Sequence, residues 1–170
     1  RELKEAGITK VVMMTGDSER TAAAIAKRVG VDEYYSEVLP EDKASFVEKE
    51  KELGNKVIMI GDGINDSLAL SSASVGIAIS DGAAIAREIA DVTISADNLH
   101  EIVTLKRLST ALMKRIHNNY RTIIGVNGGL IALGVTGVIM PTTSALLHNL
   151  STLTISLRSM RNYLPKEEEL

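Results

Sequence analysis

Short apolar runs of strand length punctuate the first hundred residues: Val11–Met14, Val57–Ile60, Val75–Ile79 and Val92–Ile94. Between them, apolar positions recur at helical spacing. They predict helices over Glu19–Val29 and Glu41–Leu53, with shorter ones around Asp66–Ser72 and Ala83–Ile89. Strands alternating with helices predict an α/β fold, a parallel sheet covered by helices on its faces. In such sheets, ligands bind outside the carboxyl ends of the strands.

That edge is where the chemistry gathers. Thr15-Gly16-Asp17 follows the first run, and Gly61-Asp62-Gly63 follows the second, leading into Ile64-Asn65-Asp66. Asp62 and Asp66 stand about one helical turn apart if the loop closes into a helix near Asn65. Two carboxylates converging on one pocket suit a hard cation such as Mg²⁺, which takes one or two protein carboxylates plus phosphate oxygens. The glycines let backbone N–H groups approach a phosphate, and a helix N-terminus adds a favourable dipole. Taken singly, Asp66 also reads as a helix cap and Asp62 as a turn acid. Pro40-Glu41-Asp42 is a good helix start. It places Lys43 near the same sheet edge, where an ammonium would balance a phosphoryl group and an attacking carboxylate.

The pattern changes after the first 119 residues. From Thr122 to Leu157 there is no Asp, Glu, Lys or Arg. A span of about 20 apolar residues crosses a bilayer once, so this stretch predicts a transmembrane helical hairpin turning at Met140-Pro141. The glycines at 125, 128, 129, 134 and 137 suit close packing of membrane helices. A helical hairpin buried in a large soluble core is the competing reading. Lys114, Arg115 and Arg121 precede the stretch and Arg158, Arg161 and Lys166 follow it. By the positive-inside rule the soluble part and both termini are cytoplasmic, in an integral membrane protein, most simply of the plasma membrane. Residues 99, 102, 103, 108, 112 and 116 form an apolar stripe on a connecting helix, with Lys106, Arg107, Lys114 and Arg115 off it. The expected organisation is residues 1–97 as the α/β domain, 98–120 as the connecting helix, 121–158 as two membrane helices and 159–170 as a cytoplasmic tail.

Composition narrows the class. The 170 residues carry a net charge of −3, against a general nucleic-acid binder. With no cysteine, disulfides and thiolate metal sites are excluded. The opening RELKEAGITK is charged and helix-like, without the apolar core of a signal peptide or an initiator methionine, and suggests the C-terminal part of something longer.

Thr15-Gly16-Asp17, then Pro40-Glu41-Asp42-Lys43, then GDGINDSLAL, then VGIAIS and ADVTI, then a basic helix entering paired spans, resembles the P-type ATPases of the heavy-metal-transporting class over essentially the whole chain. The resemblance implies a haloacid dehalogenase-like phosphorylation domain in which ATP phosphorylates an aspartate, and hydrolysis of the aspartyl phosphate drives cation export. It implies Mg²⁺ at Asp62 and Asp66, Asn65 at the phosphoryl group or its carboxylate, Lys43 on the phosphoryl oxygens, and Thr15, Gly16 and Asp17 lining the phosphate pocket. The connecting helix would carry domain motion to the membrane. Departures are Leu68, where the family often has proline, and the wording Asp81-Gly82-Ala83-Ala84. The Asp-Lys-Thr-Gly-Thr segment, the Thr-Gly-Glu loop, a nucleotide-binding domain and the Cys-Pro-Cys motif are absent, so these 170 residues alone are not expected to be active.

Polar groups within the uncharged stretch mark a pathway if it lies in a membrane. Candidate ligands are Asn127, His148, Asn149, Ser151 and Thr152, with His148, Ser151, Thr152 and Ile155 on one helical face. Serine and threonine there also read as bonded to their own helix carbonyls. One imidazole with hydroxyl and amide oxygens suits a borderline or harder divalent ion, such as zinc, cadmium, cobalt, nickel or manganese. Copper is disfavoured because the Met-x-x-Ser-Ser element of copper exporters is missing. Two alternatives remain: a membrane-anchored haloacid dehalogenase-like phosphatase using Asp62, Asp66 and Lys43, and a non-enzymatic membrane-bound interaction module.

Overall fold

The computed structural model describes residues 1–62, 64–79, 84–95 and 100–162, without the side chains of Ile64, Ile85, Ala86 and Arg87. Gly63, Asp81–Ala83, Leu99 and Lys166, each singled out by the sequence, lie outside the described residues. The chain forms two compact units, Arg1–Thr104 and Leu105–Leu170.

The first unit is α/β. Its order is α1 (Glu2–Glu5), β1 (Val12–Met14), α2 (Glu19–Val29), β2 (Glu33–Tyr35), α3 (Pro40–Glu52), β3 (Ile58–Gly61), a single 3₁₀ turn (Ile64–Asp66), α4 (Ser67–Ser72), β4 (Val75–Ile79), α5 (Ala84–Ile89) and β5 (Val92–Ile94). All strand pairs are parallel, as expected, but they form two sheets rather than one: β1–β2 and β3–β4–β5. Neither β1 nor β3 pairs with the other. Strand β4 is central in its sheet, with Gly76, Ile77 and Ala78 buried, as a strand covered on both faces should be.

Strand β2 has no sequence signature. Glu33, Tyr34 and Tyr35 are all exposed, so no alternation betrays them. Pairing with β1 makes the strand, and the Tyr35 ring packs on Phe46 of α3 with centroids 5.3 Å apart. Helix α2 stops where Gly30 turns left-handed (φ 76°), its N–H closing on the Ala26 carbonyl at 2.8 Å. Helix α3 starts at Pro40, and the Asp42 carboxylate accepts the Leu39 N–H at 3.3 Å. Small buried residues then let helices lie close to the larger sheet. Ala44 and Val47 of α3 meet Ala69 of α4 over Val57 and Met59, while Leu70 packs with Ala78 and Ala90.

Helix α6 (His100–Val135) is unbroken for 36 residues, so the expected connecting helix and first span are one element. Of the predicted stripe, Ile102 and Val103 are buried in the first unit, while Leu108, Leu112 and Ile116 are exposed. The second unit comprises most of α6 and α7 (Pro141–Ser159). The turn falls at 136–140, just ahead of the expected Met140-Pro141, and Pro141 opens α7. At the other end, the Arg115 guanidinium donates to the carbonyls of Ser159 at 3.1 Å, Asn162 at 3.0 Å and Arg161. Helix-end carbonyls lack intrahelical partners, and Arg115 supplies them. Asn119 adds a 2.6 Å bond to the Ser159 hydroxyl.

No helix among the described residues is long and apolar enough to cross a membrane. The uncharged stretch predicted two that were. Absence of charge is not the same as apolarity: α7 spends much of its 19 residues on His148, Asn149 and hydroxyls, and the apolar end of α6 is interrupted by Asn127 and glycines.

Candidate functional site

The two expected phosphate-side segments do sit at the carboxyl ends of strands. Thr15-Gly16-Asp17 follows β1, and its backbone is pinned to the end of β2 and the loop after it. Thr15 N donates to Tyr35 O (3.0 Å), Val38 N to Thr15 O (3.0 Å) and Glu37 N to Asp17 O (2.9 Å). Within the loop, the Thr15 hydroxyl donates to Asp17 Oδ2 at 2.9 Å and accepts from Asp17 N at 3.1 Å. Glu37, in the facing loop, holds a left-handed φ of 54° without being glycine, a costly backbone state that clusters near functional loops.

The second segment follows β3. Gly61 is buried, Asp62 and Asn65 are exposed, and Asp66, 8% exposed, is the one charged residue buried among those described. Lys43, in the first turns of α3, donates to Asp66 Oδ1 at 2.8 Å, with both side chains largely shielded. Separate tasks are expected of Lys43 and Asp66, one on a phosphoryl group and one on the metal. Tertiary structure joins them across 23 positions. No periodicity reports such a contact; only the shared sheet edge hinted at it.

Gly61 also has a role that the sequence did not show. A Cβ built there would lie 2.6 Å from Asp66 Cβ and 2.9 Å from both Cγ and Oδ2. Glycine is therefore needed to seat the carboxylate. Phosphate access was the expected reason for it.

Among the described residues, no group of three or more His, Cys, Asp or Glu side chains gathers as a metal cage. The acidic donors on the loop after β3 are carboxylates, which suit Mg²⁺ better than a softer ion. Magnesium is normally held by one or two carboxylates, with substrate oxygens and water completing its shell. Asp62 and Asp66 supply two hard oxygen donors on one loop, and the missing Cβ of Gly61 keeps room against Asp66.

In the second unit, His148 Nδ1 and Asn127 Oδ1 meet at 2.9 Å across the two helices. Ser151 and Thr152 donate their hydroxyls to the His148 carbonyl at 2.8 and 3.1 Å, the local bonding that competes with a ligand role. Asn149 is exposed. Of the five candidates, the structure brings Asn127 and His148 together through side chains.

Comparison with known proteins places these features. Residues 1–74 match the haloacid dehalogenase-like hydrolase family. A zinc-exporting P-type ATPase of Mycobacterium marinum is 37% identical over 161 residues, covering 94% of this chain and 22% of that protein. A manganese-exporting P-type ATPase of Mycobacterium bovis is 38% identical, with the same coverage. A copper-exporting P-type ATPase of Bacillus subtilis is 39% identical over 159 residues, covering 94% of this chain and 20% of that protein. A crystal structure of a zinc-transporting PIB-type ATPase in the E2P state superposes with a TM-score of 0.85 at 32% identity, covering 96% of this chain and 26% of that one. The chain spans about a fifth of the length of the curated relatives it matches. Relatives named for three different metals are almost equally similar, so overall identity does not select the ion. Over 94% of its length the chain is homologous to metal-exporting P-type ATPases, and its first unit has the haloacid dehalogenase-like α/β fold.

Proposed function

We propose that this chain is part of an ATP-driven pump that exports a transition-metal ion, coupling formation and hydrolysis of an aspartyl phosphate to transport. The observation that carries this reading is the shielded Lys43–Asp66 pair beside Asp62 at the end of β3, in a chain homologous almost throughout to such exporters. Fold likeness alone would serve a phosphatase equally; homology that continues through the helical hairpin favours the pump.

The roles follow from charge. An ammonium has three N–H donors. Asp66 takes one and holds Lys43 in place, leaving two for phosphoryl oxygens. Asp62 and Asp66 would hold Mg²⁺, which when bound neutralises charge on the transferring phosphoryl group. Asn65, exposed on the turn between them, would donate to the phosphoryl group or its carboxylate. Thr15, Gly16 and Asp17 line the phosphate side from the end of β1. The strand edges of β1 and β3 that pair with nothing described are open to a strand bearing the phosphorylated aspartate.

The hairpin is read as membrane-inserted, with the first unit on the cytoplasmic side. Large apolar side chains such as Val135, Val138 and Leu146 are at least two-thirds exposed, an arrangement suited to lipid and neighbouring helices. The polar groups that keep either helix from being apolar enough to span alone would face the interior of a larger bundle. His148 lines the ion pathway in this reading. The ion is of the zinc, cadmium, cobalt, nickel or manganese type, with copper disfavoured by the missing methionine element.

The test is metal-stimulated ATP hydrolysis and metal uptake by inside-out vesicles carrying the complete polypeptide that contains this chain. Stimulation by one or more of these ions, lost in Asp62→Asn, is expected. ATP hydrolysis indifferent to every transition metal would sink the reading.

A further inference from the structure

The hydrogen bond between Asn127 and His148 fixes more than a helix contact. The atom of Asn127 that faces the ring is its carbonyl oxygen, Oδ1, 2.9 Å from His148 Nδ1. An amide oxygen can only accept. A neutral imidazole carries one N–H, so with Nδ1 donating, the lone pair lies on Nε2. Metal-bound histidines characteristically donate their other ring N–H to an oxygen acceptor, which sets tautomer and ring orientation. Ser151 and Thr152 are tied back to the His148 carbonyl, so neither competes for the ring.

We propose that Asn127 is a positioning residue rather than a ligand: it holds His148 as the Nδ1–H tautomer and directs Nε2 to the transported ion, a borderline divalent cation of the zinc, cobalt or nickel class. This rests on the reading of His148 as a pathway ligand. It removes Asn127 from the set of direct ligands that the sequence suggested. It also assigns α6 and α7 one shared site, with α6 contributing orientation and α7 the donor atom.

Nitrogen-15 labelling of histidine in the complete polypeptide that contains this chain, in detergent micelles, gives one ring signature per histidine. His148→Gln identifies the one that matters. At a pH where imidazole is neutral, His148 is expected to show its proton on Nδ1 and a lone pair on Nε2. Zn²⁺ added alone should shift the Nε2 resonance. Asn127→Leu keeps the side-chain size but removes the acceptor. It should release the tautomer and weaken Zn²⁺ binding by about tenfold to a hundredfold, the usual loss when such a partner is removed. Asn127→Asp keeps an acceptor oxygen and should retain the Nδ1–H tautomer, which separates loss of the bond from loss of fold. Wild-type His148 protonated on Nε2, or a tautomer unmoved by Asn127→Leu, overturns the proposal and leaves His148 free to be a ligand by another geometry. A wild-type Nε2 signal that ignores Zn²⁺ overturns the proposal and the ligand reading of His148 together.

Discussion

Gly61 lies so close beneath Asp66 that a Cβ on the glycine would stand 2.6 Å from the Cβ of the acid. The buried carboxylate that meets Lys43 is thus seated by an atom that is not there. Gly61→Ala forces either the strand or Asp66 to move. Overpacking of this kind typically costs about 1–3 kcal/mol, to be read by chemical denaturation of the chain. On the proposed function, phosphorylation from ATP in the complete polypeptide should fall as well, in a variant that still folds. Unchanged stability together with unchanged phosphorylation would mean that Asp66 swings aside freely and that its observed position is not needed.

Lys43→Ala removes the cation from a shielded pair and, on the proposed function, should lower turnover of the complete polypeptide by about a hundredfold or more, the scale of losing one electrostatic stabiliser. The pair also makes a structural prediction. A buried charge left without its partner is strongly destabilising, so Lys43→Ala should lower the unfolding midpoint more than Lys43→Ala combined with Asp66→Asn. If the double variant is the less stable of the two, Asp66 is better solvated than the geometry implies.

Asp62 is exposed and takes no part in that pair, so its replacement should spare the fold. Asp62→Asn should leave thermal unfolding within about 0.5 kcal/mol of wild type, as surface changes do, while abolishing phosphorylation at ordinary Mg²⁺. Normal phosphoenzyme levels in Asp62→Asn would assign the metal to other oxygens.

Away from the site, Asp32 ties the start of the chain to the first strand. Its carboxylate accepts from the Lys4 ammonium and, at 2.8 Å, from Val11 N. The Lys4 bond, then the Val11 N–H, hold its pKa below the usual carboxylate value. A carboxylate depressed in the folded state contributes stability above its unfolded pKa of about 3.9, and that contribution is lost as pH falls through the lower folded value. Wild type should therefore exceed Asp32→Asn in melting temperature at neutral pH, with the gap closing below about pH 4. A gap that persists unchanged into strong acid would show that shape or neutral hydrogen bonding matters there, and charge does not.

Periodicity and turn chemistry by themselves determined much of this protein. Four apolar runs became β1, β3, β4 and β5 within a residue or so at each end, because a run of β-branched and apolar residues between turn formers has few other uses. Pro40 and Pro141 announced the starts of α3 and α7, since a fixed φ and a missing N–H suit a first helical turn. The acids were located at strand ends by topology alone. What the chain's linear order could not carry was decided in three dimensions. Strand β2 exists because β1 offers it hydrogen bonds; its own side chains are all exposed. The separation into two parallel sheets depends on which edges find partners. Lys43 reaches Asp66, and Asp66 fits against Gly61, through packing of α3 and α4 on the larger sheet. Likewise, the absence of charge from Thr122 to Leu157 was plain in the sequence. Only the helical hairpin put Asn127 against His148, because a hydrogen bond 21 positions long follows from how two helices face each other.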